Sequence, residues 1–163
     1  MALSEQHLDA WRAVVTSHAA VTDRVQKAFA AGDLPPLSWF ELLWAVKRTD
    51  GMPRMSELAE WLTLSRGGIT KLVDRLQDAG YMERVTCTDD RRSFYANLTP
   101  AGERIVEEMR GVYIAELERH LDSVSAEEAK LLAGVLGKVT NSTCDAAADE
   151  GTRVTDTSMA AAR

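Results

Sequence analysis

The segment from Ser56 to Gly80 restricts this chain to few folds. Ser56 is placed to cap a short helix, Glu57 to Leu62, and after only Thr63 and Leu64 a second serine, Ser65, is placed to cap another that runs to about Ala79. Ile69, Leu72, Val73 and Leu76 recur at the i, i+3, i+4 and i+7 spacing of one helical face. Helices so short and so tightly joined must cross at a steep angle, which makes a helix-turn-helix unit. Gly80 ends the second helix and Tyr81 to Cys87 then reads as a strand. Phe94 to Leu98 reads as its partner, because Phe94, Ala96 and Leu98 alternate with Tyr95 and Asn97. Between them the polar run Thr88-Asp89-Asp90-Arg91-Arg92-Ser93 forms the tip of a hairpin, a wing.

Long helices flank this unit. From Ser4 to Ala31 an apolar stripe runs through Leu8, Trp11, Val15, Val25 and Phe29, with polar His18 and Thr22 in its middle, and Gly32 with Leu34-Pro35-Pro36 ends it. The next helix is expected to start at Ser38, with Glu41 completing a capping box, and is apolar nearly all round from Trp39 to Val46. Asp50-Gly51-Met52-Pro53 is turn chemistry. Thr99 and Pro100, as N-cap and first helical residue, launch a long helix to about Asp122. Ser125 with Glu128 opens a last one, with Leu131, Leu132, Val135, Leu136 and Val139 on one face. Beyond about Asn141 there is no aromatic residue, and the Ala, Thr, Asp and Ser content predicts a frayed helix end and a disordered tail.

Together these elements predict a mainly α fold with a small β-wing, as a single winged-helix domain over 4–140. The winged helix-turn-helix spans 38–98, flanked by long dimerisation helices at 4–36 and 100–140, and the tail occupies 141–163. The first and last helices carry more apolar surface than one small helix-turn-helix unit can cover. A symmetric second copy is the simplest cover, and its two-fold axis implies a near-palindromic partner site with half-sites about one helical turn, roughly 10 bp, apart.

A chain of 163 residues has room for one core and not for a two-domain cofactor enzyme, and it has no glycine-rich phosphate loop. Its apolar runs fall short of the roughly 20 residues a membrane span needs. Met1 to Gln6 lacks the basic and apolar pattern of a secretory signal, so a cytoplasmic setting is expected. Cys87 and Cys144 are too few and too far apart for a disulfide framework or a metal-ligand cluster. The formal charge of −6 argues, as an average, against a polyanionic partner. The average hides a split: Leu64 to Leu98 carries +1 and the rest of the chain −7.

That division matters because of where the cations stand. The helix capped by Ser65 exposes Arg66, Thr70, Lys71 and Arg75 opposite its apolar face, and Gly67 and Gly68 leave its first turn clear. Such an end suits a major groove, with side chains at base edges and N-terminal amides toward phosphate. On its own this is also what an ordinary solvated helix face looks like. The wing tip adds Asp90, Arg91 and Arg92, two guanidinium groups on a thin projection suited to a minor groove, with a carboxylate able to hold an arginine fork in place.

The ordered run Leu64-Ser65-Arg66-Gly67-Gly68-Ile69-Thr70-Lys71-Leu72-Val73-Asp74-Arg75-Leu76, then Ala79-Gly80-Tyr81, Asp89-Asp90-Arg91-Arg92 and Leu98-Thr99-Pro100-Ala101-Gly102, resembles the core signature of the MarR family of winged-helix transcriptional regulators. The likeness extends over roughly Leu8 to Val139. It implies a homodimer with interleaved first and last helices and recognition helices in successive major grooves of double-stranded DNA. It also implies that Asp90 orients Arg92, with Arg91 beside them at the backbone or minor groove.

The resemblance further implies release from DNA by a small aromatic effector. Candidate effector residues are Trp11, His18, Trp39, Arg110 and Tyr113, His18 being either a ligand contact or a structural hydrogen-bonding group that fixes dimer register. The four tryptophans, Trp11, Trp39, Trp44 and Trp61, suit either a large core or an aromatic pocket. Glu116 and His120, four apart on one helix, are the nearest approach to a metal pair, and with His7 and His18 far along the chain no cofactor or metal is expected. The chief reading is a DNA-binding repressor. The alternative is a winged-helix protein-interaction module that binds no DNA.

Overall fold

The computed structural model describes residues 3–86 and 94–149. They form α1 (Glu5–Ala31), α2 (Leu37–Arg48), α3 (Met55–Trp61), α4 (Arg66–Asp78), β1 (Met82–Thr86), β2 (Phe94–Leu98), α5 (Pro100–Leu121) and α6 (Ala126–Asp149). The fold is a winged helix: mostly helical, with β1 and β2 as one antiparallel pair in which Met82 faces Leu98 and Thr86 faces Phe94. The chain separates into two compact units, Met1–His120 and Leu121–Arg163, where the sequence leads one to expect a single domain over 4–140.

In the first unit every element contributes to one core. Val25 and Phe29 of α1, Phe40, Leu42 and Leu43 of α2 and Leu58 of α3 meet Ile69, Val73 and Leu76 of α4, and Met82, Ala96, Leu98, Val106 and Met109 close it. The helix starts differ from the sequence reading in two places. Pro36, not Ser38, is the N-cap of α2, and the helix begins at Leu37, which is buried; packing of that side chain sets the start and leaves Ser38 exposed in the first turn. Ser56 likewise lies inside α3. Arg54 is its N-cap, and its amide donates to the Glu57 carboxylate at 2.6 Å, so the carboxylate does the capping the serine was expected to do.

The turn between α3 and α4 closes through Leu64 N–H to the Ala59 carbonyl (2.8 Å), with Thr63 in the left-handed region at φ 52°. Ser65 caps α4 as expected, its Oγ accepting from Gly68 N–H at 3.1 Å. After α4 the chain turns at Gly80 (φ +77°), so Tyr81 belongs to the turn and β1 starts at Met82. Thr99 clasps this turn: its hydroxyl donates to the Gly80 carbonyl (2.6 Å), its N–H donates to Tyr81 O (3.1 Å), and its Oγ1 caps α5 by accepting from Gly102 N–H (3.0 Å). The approach is close enough that a Cβ on Gly102 would overlap the Tyr81 carbonyl oxygen.

In the second unit, Ser125 and Glu128 form the expected reciprocal capping box, Ser125 N–H donating to Glu128 Oε2 at 2.9 Å and Glu128 N–H to Ser125 Oγ at 3.3 Å. The Ser125 hydroxyl, which donates to Glu128 Oε2 at 2.7 Å, and then the Ser125 N–H hold the Glu128 carboxyl below its ordinary range. No described side chain of α6 is buried, and Leu131, Leu132, Val135 and Val139 are exposed. α6 continues to Asp149. Among the described residues no helix is long and apolar enough to cross a membrane.

Candidate nucleic-acid interface

One face of α4 is buried and the other is open. Ile69, Val73 and Leu76 anchor it, which leaves Arg66, Thr70, Lys71 and Arg75 exposed along the opposite side. The hydroxyls are already used: Ser65 caps the helix and Thr70 Oγ1 donates to the Arg66 carbonyl at 2.8 Å. None of Arg66, Lys71 and Arg75 is ion-paired to a described residue. A Cβ at Gly67 would meet open space, so nothing crowds the first turn. Asp90, Arg91 and Arg92, the wing members of the expected site, lie outside the described residues, as does Cys87.

The five expected effector residues do not converge within the single chain. Trp11 and His18 are exposed on α1. Trp39 stands edge-on to Tyr81 at 6.2 Å, whereas its neighbour Phe40 faces Tyr113 at 4.8 Å. Adjacent helical residues diverge by about 100°, so Trp39 looks to the base of the wing while Phe40 looks to α5. Arg110 lies over the Trp44 ring at 5.2 Å and reaches toward Glu107 at 3.7 Å. His18 and Tyr113 are linked through a third residue, Glu41. Burial pushes the Glu41 carboxyl up and His18 partly offsets this, while burial, then the charge of Glu41, raises the Tyr113 phenol. His120 and Arg119 both turn to Glu116, the imidazole at 3.8 Å. Among the described residues no group of three or more metal-ligating side chains forms.

Residues 33–93 match the MarR family. The matched segment spans α2, α3, α4 and β1. Solved structures share the fold. AbsC, a MarR family transcriptional regulator from Streptomyces coelicolor, is 23% identical with a TM-score of 0.79, over 88% of this chain and 97% of its own. Sco3205, a MarR family regulator from the same organism solved in complex with DNA, is 21% identical with a TM-score of 0.79, over 87% of this chain and 90% of its own. A mutant MarR from E. coli complexed with operator DNA is 21% identical with a TM-score of 0.73, over 85% of this chain and 99% of its own.

Two residues of the matched segment, Arg84 and Glu41, are not among the site residues expected from the sequence. Arg84 on β1 reaches α4, its Nη2 lying 2.6 Å from Asp74 Oδ1 and 3.3 Å from the Thr70 carbonyl. The available signal was strand alternation, which puts Arg84 on the same side as buried Met82. Glu41 was noticed only as a capping residue. Its signal was its isolation, as the one charged residue between Trp39 and Val46.

Proposed function

We propose that this chain is a homodimeric, sequence-specific DNA-binding regulator that works in the cytoplasm, represses transcription and is released by a small aromatic effector. The observation that carries the proposal is the α4 face, a capped helix with a clear first turn and, on its outer side, three cations not ion-paired to any described residue. Cations so placed would exchange condensed counterions for phosphate contacts and reach base edges from the helix end. The DNA complexes of Sco3205 and of mutant MarR, which share the fold, support the reading. The dimer is supported by the apolar residues Leu8, Trp11 and Val15 of α1, exposed by 50%, 60% and 49% in the single chain. The aromatic character of the effector is supported by a ring cluster in which Phe40 and Trp44 of α2 stack on each other and Tyr113 of α5 lies tilted against Phe40.

Fluorescence anisotropy with the intergenic duplex beside its own gene tests this. Arg66→Ala or Lys71→Ala should cost about 1–3 kcal/mol of binding where the residue reads a base, and a uniform loss on all sequences would mark it as a phosphate contact. Absence of salt-sensitive binding to any such duplex would overturn the proposal in favour of a protein-interaction module.

A further inference from the structure

We infer that Arg84 is a positioning residue for DNA recognition, one that masks Asp74 and ties the recognition helix to the wing without itself touching DNA. The inference rests on the DNA-binding reading of α4. Asp74 belongs to that helix, one turn beyond Thr70 and next to Arg75, and it is half exposed. A bare carboxylate there would oppose a polyanion approaching the neighbouring cations Arg66, Lys71 and Arg75. Arg84 answers it. The guanidinium lies 2.6 Å from Asp74 Oδ1, its side chain is only 26% exposed, and the same Nη2 donates to the Thr70 carbonyl at 3.3 Å.

The backbone explains why an arginine can do this. Arg84 pairs with Ala96, which is fully buried, and shares its strand face with buried Met82, so its aliphatic stem leaves the sheet toward α4. Glu83, on the other strand face, pairs instead with Asn97 of β2 at 2.9 Å, so the two ionic partners of this strand divide between the helix and the sheet. Thr70 and Asp74 sit four apart on α4, and one guanidinium spanning both fixes the rotation of the helix about its axis relative to β1. The strand that continues into the wing is thereby joined to the helix that carries Arg66, Lys71 and Arg75.

The test is a mutant cycle read by anisotropy on the intergenic duplex and on a random duplex of equal length, across a salt series, with thermal melting to confirm folding. Arg84→Met keeps the stem and removes the charge, and it should weaken intergenic binding about 10-fold by uncovering Asp74. Asp74→Asn in the Arg84→Met background should bring affinity back to within about 3-fold of the unsubstituted protein, because the repulsive charge is gone. A loss in Arg84→Met that Asp74→Asn does not reverse, with the salt slope reduced by about one per site, would make Arg84 a phosphate contact and overturn the inference. Folded Arg84→Met that binds as tightly as the unsubstituted protein would overturn it too. In either case the unsubstituted protein still binds, which keeps these outcomes apart from failure of the DNA-binding reading, where it binds neither duplex.

Discussion

The two halves of α1 carry the same apolar spacing and meet different fates. Val25 and Phe29 are 1% exposed, inside the core with α2 and α5, whereas Leu8, Trp11 and Val15, on the same stripe, stay open to solvent. Periodicity reports that a face is apolar and is silent on what covers it. The carboxyl half is covered by its own chain, so its stability is an intramolecular quantity. The amino half has no such cover, and an open apolar stripe is what a second molecule would bury.

The sharpest way to break the covered side is Gly102→Ala. The added Cβ would overlap the Tyr81 carbonyl oxygen and force apart the clasp in which Thr99 holds Gly80 and Tyr81. Because the intruded atom is backbone, not a flexible side chain, the loss should reach about 3 kcal/mol or more in urea unfolding. It should also be independent of protein concentration, as expected for a joint made within one chain. A variant as stable as the parent would mean that the start of α5 is free to move away from the wing base.

Trp11→Ala probes the uncovered side and should behave in the opposite way. If a second copy buries this stripe, removing the indole should raise the dimer dissociation constant about 30-fold, equivalent to roughly 2 kcal/mol, measured by sedimentation. The melting temperature should fall most in dilute samples, because association and stability are linked by mass action. An unsubstituted chain that sediments as a monomer at every concentration would assign the stripe to a different partner.

How much of this was legible beforehand follows the same division. The core faces of α4 and β2, the Ser65, Thr99 and Ser125 caps and the Gly80 turn could be read because each is a local rule obeyed by neighbouring residues. The starts of α2 and α3 could not, because burial of Leu37 and the reach of Glu57 outweighed the serine signals at Ser38 and Ser56. At the site, the cationic α4 face was legible from spacing alone. Arg84 was not, since a strand arginine looks solvated until the helix beneath it supplies Asp74 and the Thr70 carbonyl. The proposed effector set drew together residues by chemical type, and helix geometry turns Trp39 to Tyr81 while Tyr113 meets Phe40.

The border between the two halves of α1 gives the subtlest prediction. His18 lies there, exposed, and acts on Glu41 of α2, a solvent-exposed residue whose carboxyl is nonetheless raised above the ordinary value of 4.5 by the partial burial of its surroundings. A raised carboxyl means that the folded state holds its proton where the unfolded state has released it. Below the unfolded value both states are protonated and Glu41 adds no pH dependence; as pH rises through the folded value, stability is lost and stays lost at neutral pH. Glu41→Gln removes that titration. Its melting temperature should exceed the parent's at pH 7, and the gap should close below about pH 4. Loss of the His18 attraction works against this gain and is the smaller effect, since burial is the larger influence on the Glu41 carboxyl. A gap that is absent, or that stays constant from pH 4 to 8, would show Glu41 to ionise as freely as a surface carboxylate, moving the edge of the covered region to the carboxyl side of His18.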